Sequence, residues 1–172
     1  MKDIIRFGFI LGTICIIAAG LLAGVNSLTK PRILAQAFSE ENSGLKEVLP
    51  EADKFEVVKE KEEIVYYKGY DKGGKFVGVA FKATGKGYSS VIETLVGMLK
   101  DGKIMAIKIL SQNETPGLGS RITDSSFIDQ FRGVDDLSTV QAITGATISS
   151  RGVIASVEKK ALEIRGLIKN EK

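Results

Sequence analysis

The sequence predicts an α+β protein, with one N-terminal transmembrane helix followed by an antiparallel-sheet domain flanked by helices. Three observations carry this. The run from Phe7 to Leu28 has no charged residue and is long enough to cross a bilayer as a helix. Short runs rich in β-branched and aromatic residues then follow at hairpin spacing. The last stretch, Ser150 to Ile168, repeats its apolar residues with the period of a helix. The boundaries expected from this pattern are a membrane anchor over 1–32 and a domain over 33–172.

Small residues at Ala18, Ala19, Gly20, Ala23 and Gly24 would also suit a cleaved signal peptide. A signal core spans about 7–15 apolar residues, however, and this run exceeds that, so a retained anchor is expected. Lys2 and Arg6 on one side are matched by Lys30 and Arg32 on the other, and flanking charge therefore sets no orientation. After the anchor, Pro31 to Pro50 holds a short helical stretch with Leu34, Phe38, Leu45, Val48 and Leu49 as its apolar positions. Strands are expected at Phe55–Lys59, Ile64–Tyr70, Lys75–Ala83, Val91–Met98 and Lys103–Leu110. Asp71-Lys72-Gly73-Gly74 and Asp101-Gly102 supply the turns, since they tolerate positive φ. A short helix over Ser126–Phe131 precedes the long one. In the latter, Val153, Ile154, Val157, Ala161, Ile164 and Ile168 form the apolar stripe, with Glu158, Lys159, Glu163 and Lys169 between them.

Composition narrows the chemistry. Setting aside Asp3 and the four cations beside the apolar run, acidic and basic residues balance, so the body carries no basic stripe for nucleic acid. The chain has no histidine, which removes imidazole bases and the commonest metal ligand. Its single cysteine, Cys15, lies in the apolar run, where it forms neither an intrachain disulfide nor a cysteine-based metal site. What remains is carboxylates, hydroxyls, lysines, backbone groups or a borrowed cofactor.

Two segments read as neither sheet nor helix. In Ser111-Gln112-Asn113-Glu114-Thr115-Pro116-Gly117-Leu118-Gly119-Ser120, proline and glycine bend the chain just after a strand. In Ala142-Ile143-Thr144-Gly145-Ala146-Thr147-Ile148-Ser149-Ser150, Gly145 and Ala146 remove side-chain bulk directly before Thr147. Ser149 and Ser150 then read as caps of the long helix. A hydroxyl at a helix start favours a phosphate, because unpaired amides and the helix dipole both attract an anion. By the residues alone, a helix cap is the commoner role for a threonine such as Thr147.

Thr144-Gly145-Ala146-Thr147 followed by Ile148-Ser149-Ser150 resembles the flavinylation motif of the FMN-binding domain family. Glu114-Thr115-Pro116-Gly117-Leu118-Gly119 resembles that family's second hallmark, and Gly85-Lys86-Gly87-Tyr88 with Val96-Gly97 fits the same order. With the single N-terminal anchor, the resemblance covers nearly the whole chain and points to the G subunits of Rnf-type, ion-translocating ferredoxin:NAD oxidoreductases. The related C subunits of sodium-pumping NADH:quinone reductases are the alternative. Where many members have aspartate, six residues before the modified threonine, this chain has Gln141.

The resemblance implies FMN joined covalently to Thr147 through a phosphoester, installed from FAD by a flavin transferase. It implies Glu114, Thr115, Leu118 and Gly119 near the isoalloxazine, Thr144, Gly145 and Ala146 at the phosphate end, and Gly87 and Tyr88 as further neighbours. It also implies an electron carrier that does not turn over alone, partnered by the other membrane subunits of its complex. The soluble domain would lie on the outer face of the cell membrane. Two rivals come from other classes: a membrane-tethered binding module without flavin, and a stand-alone reductase that would need Glu114 as acid or base.

Overall fold

The computed structural model describes the backbone of residues 2–60 and 63–170, and their side chains except at 2–3, 34–35, 37–40, 42, 60, 63 and 170. The chain forms two compact units, Met1–Glu40 and Glu41–Lys172. The first unit is helical throughout its described length, and its stretch Ile4–Ile33 is long and apolar enough to cross a membrane. The helix that contains it runs over Lys2–Val48 (α1), so the helical stretch expected after the anchor forms and is continuous with it. Pro31 lies inside the helix: a proline removes one amide donor and crowds one carbonyl, and the flanking turns carry the helix through it. Leu45, Val48 and Leu49 are buried as expected, whereas the side chains of Leu34 and Phe38 lie outside the described residues.

In the second unit, five strands pair in sequence order as an antiparallel meander: Lys54–Glu60 (β1), Glu63–Tyr70 (β2), Phe76–Lys86 (β3), Val91–Leu99 (β4) and Ile104–Ser111 (β5). Both expected turns form. Asp71 Oδ1 accepts from the amides of Gly73 at 2.8 Å and Lys75 at 2.9 Å, and Gly74 takes φ 76°. Asp101 Oδ1 accepts from Lys103 N–H at 3.1 Å beside Gly102 at φ 91°. Aspartate side chains thus supply the bonds that these turns deny their own backbones.

The long helix spans Thr147–Asn170 (α3) and lies against β3 and β4. Its Val153, Val157, Ala161 and Ile164 are buried with Val79, Phe81, Ile92, Val96 and Met98 of the sheet. Between β5 and α3 come a 3-10 turn over Gly119–Thr123, a four-residue helix over Ser125–Ile128 (α2) that continues as 3-10 through Phe131, and a 3-10 turn over Leu137–Thr139. The helix expected over Ser126–Phe131 is therefore half α and half 3-10. These segments close the end of the core with Ile122, Phe127, Phe131 and Leu137, the two phenyl rings meeting edge to face at 5.3 Å.

Thr94 breaks the apolar pattern. It lies in line with Ile92, Val96 and Met98 along β4, is fully buried, and its hydroxyl has no hydrogen-bond partner among the described residues. A buried hydroxyl without a partner costs about 1–3 kcal/mol. Thr94→Val keeps the shape and removes the penalty, so it should stabilise the fold by about 1 kcal/mol, read as a higher thermal midpoint of the full chain in detergent.

Candidate functional site

The two segments that resisted assignment in the sequence meet at the start of α3. The chain closes a turn over Ile143–Ala146, with Ala146 N–H donating to Ile143 C=O at 3.0 Å and Gly145 at φ 85°. A side chain on Gly145 would have nothing within 4 Å, so glycine stands there for its backbone conformation and not to clear bulk. Helix α3 then begins at Thr147, earlier than the Ser150 start expected. Ser149 and Ser150 are not caps. Ser150 Oγ accepts from Ile143 N–H at 3.1 Å and donates to Ala146 C=O at 2.6 Å, bracing the turn from below. Ser149 Oγ instead donates to Glu114 Oε2 at 2.6 Å.

Thr147 is not a cap either. Its hydroxyl is exposed and makes only a long 3.4 Å bond to Ile143 C=O, near the limit of a hydrogen bond. The residue before it, Ala146, has no acceptor to offer. The amides of Thr147, Ile148 and Ser149 accordingly lack a side-chain acceptor among the described residues, which leaves a helix N-terminus open to an anion.

The first segment folds over this terminus. Gly117 takes φ 72°, its amide donates to Ser120 Oγ at 2.9 Å, and the turn carries Leu118 to the surface. Glu114, two residues beyond Gln112, is buried. Its carboxylate accepts from the amides of Tyr88 (3.1 Å), Ser89 (3.1 Å) and Ser90 (2.9 Å) and from the hydroxyls of Ser90 (3.1 Å) and Ser149 (2.6 Å). Burial by itself raises its pKa. The Ser149 hydroxyl, then the amides of Ser90 and Ser89 and the Ser90 hydroxyl, outweigh that and pull it down to about 2.

The result is a cleft of about 380 Å³ lined by Tyr88, Glu114, Thr115, Leu118, Gly119, Gly145, Ala146, Thr147, Ile148 and Ser149. Of the expected site residues, Thr144 and Gly87 are not in the lining. Thr144 is exposed on the turn, and Gly87 lies behind Glu114, where a Cβ would strike the carboxylate. Gly119 is constrained alike, since a Cβ there would sit 2.8 Å from Glu114 Oε2 and 2.9 Å from Ser149 Oγ. Sequence reasoning missed Ile148 and Ser149 as lining residues, although their place in the first turn of a helix beginning at Thr147 would have exposed them. A second hollow of equal volume, bordered by Lys46, Pro50, Asp53 and Asp71, is more open and contains neither segment.

Tyr88, Leu118 and Ile148 present exposed apolar surface around the cleft, and the uncapped first turn of α3 lines it. A planar ligand with a phosphate tail fits such a donor set: the ring against the apolar rim, the phosphate at Thr147. Gly87 and Gly119, which keep the Glu114 carboxylate enclosed, leave the lining free for it.

Residues 87–162 match the FMN-binding domain family, and residues 1–48 match the RnfG N-terminal region. The fold and cleft therefore define an FMN-binding domain preceded by a helix that can span a membrane. The chain is 35% identical to the G subunit of the proton-translocating ferredoxin:NAD(+) oxidoreductase complex of Clostridium ljungdahlii, over 87% of this chain and 84% of that protein. It is 33% identical to the G subunit of the Na(+)-translocating ferredoxin:NAD(+) oxidoreductase complex of Acetobacterium woodii, over 91% and 89%. The G subunit of the ion-translocating oxidoreductase complex of Methanosarcina acetivorans is 32% identical, over 89% and 90%. The chain belongs to this family of G subunits. Its fold is shared with the crystal structure of the C subunit of the Na(+)-translocating NADH-quinone reductase from Parabacteroides distasonis, at TM-score 0.56, 17% identity and coverage of 78% and 95%.

The Glu114 pKa has a measurable consequence. A carboxylate whose folded pKa lies below its unfolded value stabilises the fold fully above about pH 4.5, and that contribution disappears as pH falls toward 2. Discounted for the open mouth of the cleft, it is worth about 2 kcal/mol. Thermal unfolding of the full chain should therefore show a steep loss of stability below about pH 5 that Glu114→Gln flattens.

Proposed function

We propose that this chain is the electron-carrying subunit of a membrane-bound, ion-translocating ferredoxin:NAD oxidoreductase, with FMN held covalently on Thr147. The observation that carries the reading is the convergence, in one cleft, of an unengaged threonine hydroxyl, a helix terminus without a side-chain cap and an apolar rim. The family relatives supply the complex. Phe7 to Leu28 would anchor the chain in the cell membrane, with the domain on the extracytoplasmic side, where a covalent bond prevents loss of the cofactor. The other membrane subunits of the complex would give and take the electron.

Attachment needs a hydroxyl that can be reached. Thr147 Oγ1 would form the ester bond to the flavin-side phosphorus of FAD as the pyrophosphate bridge breaks. AMP leaves with the bridging oxygen, the hydroxyl proton passes to solvent, and a flavin transferase supplies the catalysis. The amides of Thr147, Ile148 and Ser149 would hold the phosphate, and Tyr88, Leu118 and Ile148 would shield the ring. Bound flavin supplies the electron-transfer chemistry, and the chain sets its position and surroundings.

The stand-alone reductase is disfavoured by Glu114. An acid or base must reach a substrate proton, whereas this carboxylate is enclosed and engaged by five donors. A binding module without covalent flavin would use Thr147 as a cap, which its hydroxyl is not placed to do.

Two outcomes are expected. Thr147→Ala should abolish flavin fluorescence of the chain in a denaturing gel, and Thr144→Ala should weaken it without removing it; a fluorescent Thr147→Ala band would overturn the attachment. The purified, flavin-loaded full chain should be reduced by dithionite yet oxidise NADH negligibly in an absorbance assay, with turnover appearing only in the assembled complex.

A further inference from the structure

Gly87 to Ser90 join β3 to β4 and carry Tyr88, one wall of the cleft. Within the hairpin this turn is held by Gly87 N–H to Ser90 C=O at 2.8 Å. Its other three amides, those of Tyr88, Ser89 and Ser90, all donate to the carboxylate of Glu114, which arrives from the loop after β5. The same carboxylate accepts the hydroxyl of Ser149 in the first turn of α3. Ser90 Oγ adds a second stitch, donating to Glu114 Oε1 and accepting from Asn113 N–H at 2.9 Å. Three stretches distant in sequence thus meet on one side chain, and Gly87 and Gly119 pack so closely on it that neither has room for a Cβ.

We propose that Glu114 is a positioning residue: its carboxylate latches the Tyr88 turn to the first turn of α3, and so fixes one wall of the cleft relative to Thr147. The inference rests on reading the cleft as the flavin site, but the latch itself is a property of the protein alone. A carboxylate offers about four lone-pair directions, and five donors occupy them, so nothing remains for a substrate. The two oxygens divide the work. Oε1 takes the Ser89 amide and both Ser90 donors, and Oε2 takes the Tyr88 amide and Ser149.

This division makes glutamine an informative replacement. With its carbonyl in the Oε1 place, Glu114→Gln keeps three donors, and Ser149 can rotate its hydroxyl to accept. The Tyr88 amide then faces an NH2 group and loses its partner. Glu114→Asp is one methylene too short to span the gap and should not rescue.

The test compares wild type, Glu114→Gln, Glu114→Asp, Ser149→Ala and Thr147→Ala as full chains in detergent. Without flavin, hydrogen exchange of residues 87–90 should accelerate at least about tenfold in Glu114→Gln, while the strands on either side, residues 78–84 and 93–99, are unchanged. With flavin attached, the visible circular dichroism of the ring should weaken in Glu114→Gln and Glu114→Asp, the signature of a displaced wall. Ser149→Ala should change both in the same direction but less. Wild-type exchange at 87–90 together with wild-type dichroism in Glu114→Gln overturns the latch. If that variant does not fold, unchanged exchange in Ser149→Ala overturns it instead. Covalent flavin surviving in Thr147→Ala would sink the attachment reading, and the flavin-free exchange would still judge the latch.

Discussion

The site depends on a contact between two backbones. Gly85 near the end of β3 and Gly152 in α3 approach so closely that a side chain on Gly85 would strike the Gly152 carbonyl, and one on Gly152 would strike the carbonyl of Lys86. Only a glycine pair lets the helix lie directly on the strand. Thr147 precedes Gly152 by five residues, about 7.5 Å of helix rise, so this contact sets the first turn of α3 beside the turn that follows β3. Ser149 can then reach Glu114, and Glu114 can reach Tyr88. A methyl group at either glycine would lift the helix start away from both.

The start of α3 also resolves an electrostatic conflict. If Thr147 carries a phosphate, two anions, that phosphate and the Glu114 carboxylate, stand at one helix N-terminus. Like charges so close would compete for the same amides. They would not, because the carboxylate draws its amide donors from the Gly87–Ser90 turn and takes only a hydroxyl from the helix. The amides of Thr147, Ile148 and Ser149 stay available. Each negative group would have its own donors, the Ser149 hydroxyl and the turn amides together holding the Glu114 pKa down.

Sheet and hairpins were legible in the sequence because their causes are local: β-branched runs, and Asp-Gly turns whose side chains bond their own backbones. The stripe on α3 was legible for the same reason. What was not legible has distant causes. Ser149 and Ser150 look like caps because serine favours that position, yet Ser149 is claimed by a residue 35 positions away and Ser150 by the turn beneath it. Gly145 looks like cleared space but is a positive-φ position, and Gly119 looks like a turn residue but is pinned by Glu114 and Ser149. Pro31 falls where a helix usually breaks, and α1 runs through it, held by the turns on either side. Thr147 and the Glu114 loop stand out because their motifs are recognisable, and the structure brings them to one cleft; which of their side chains touch was not legible.

The opposite face of the sheet explains why so few bonds suffice to hold the cleft. The last turns of α1 lie against it: Val48 presses its carbonyl where a side chain on Gly97 would be, and Leu49 crowds Gly69. Glu41 accepts from Tyr67 Oη at 2.5 Å and from Lys82 Nζ at 2.6 Å, and Glu47 pairs with Lys108. Burial, then the bond to Glu41 and its charge, push the Tyr67 phenol well above its ordinary range, so the hydroxyl remains a donor. β4 is thereby covered on both faces, with Leu95 packed toward α1 and Val96 toward α3. A strand enclosed in this way opens only with the domain as a whole. The loops of the cleft therefore spring from a strand buried on both faces, and the carboxylate of Glu114 bonds to both the Tyr88 turn and the first turn of α3.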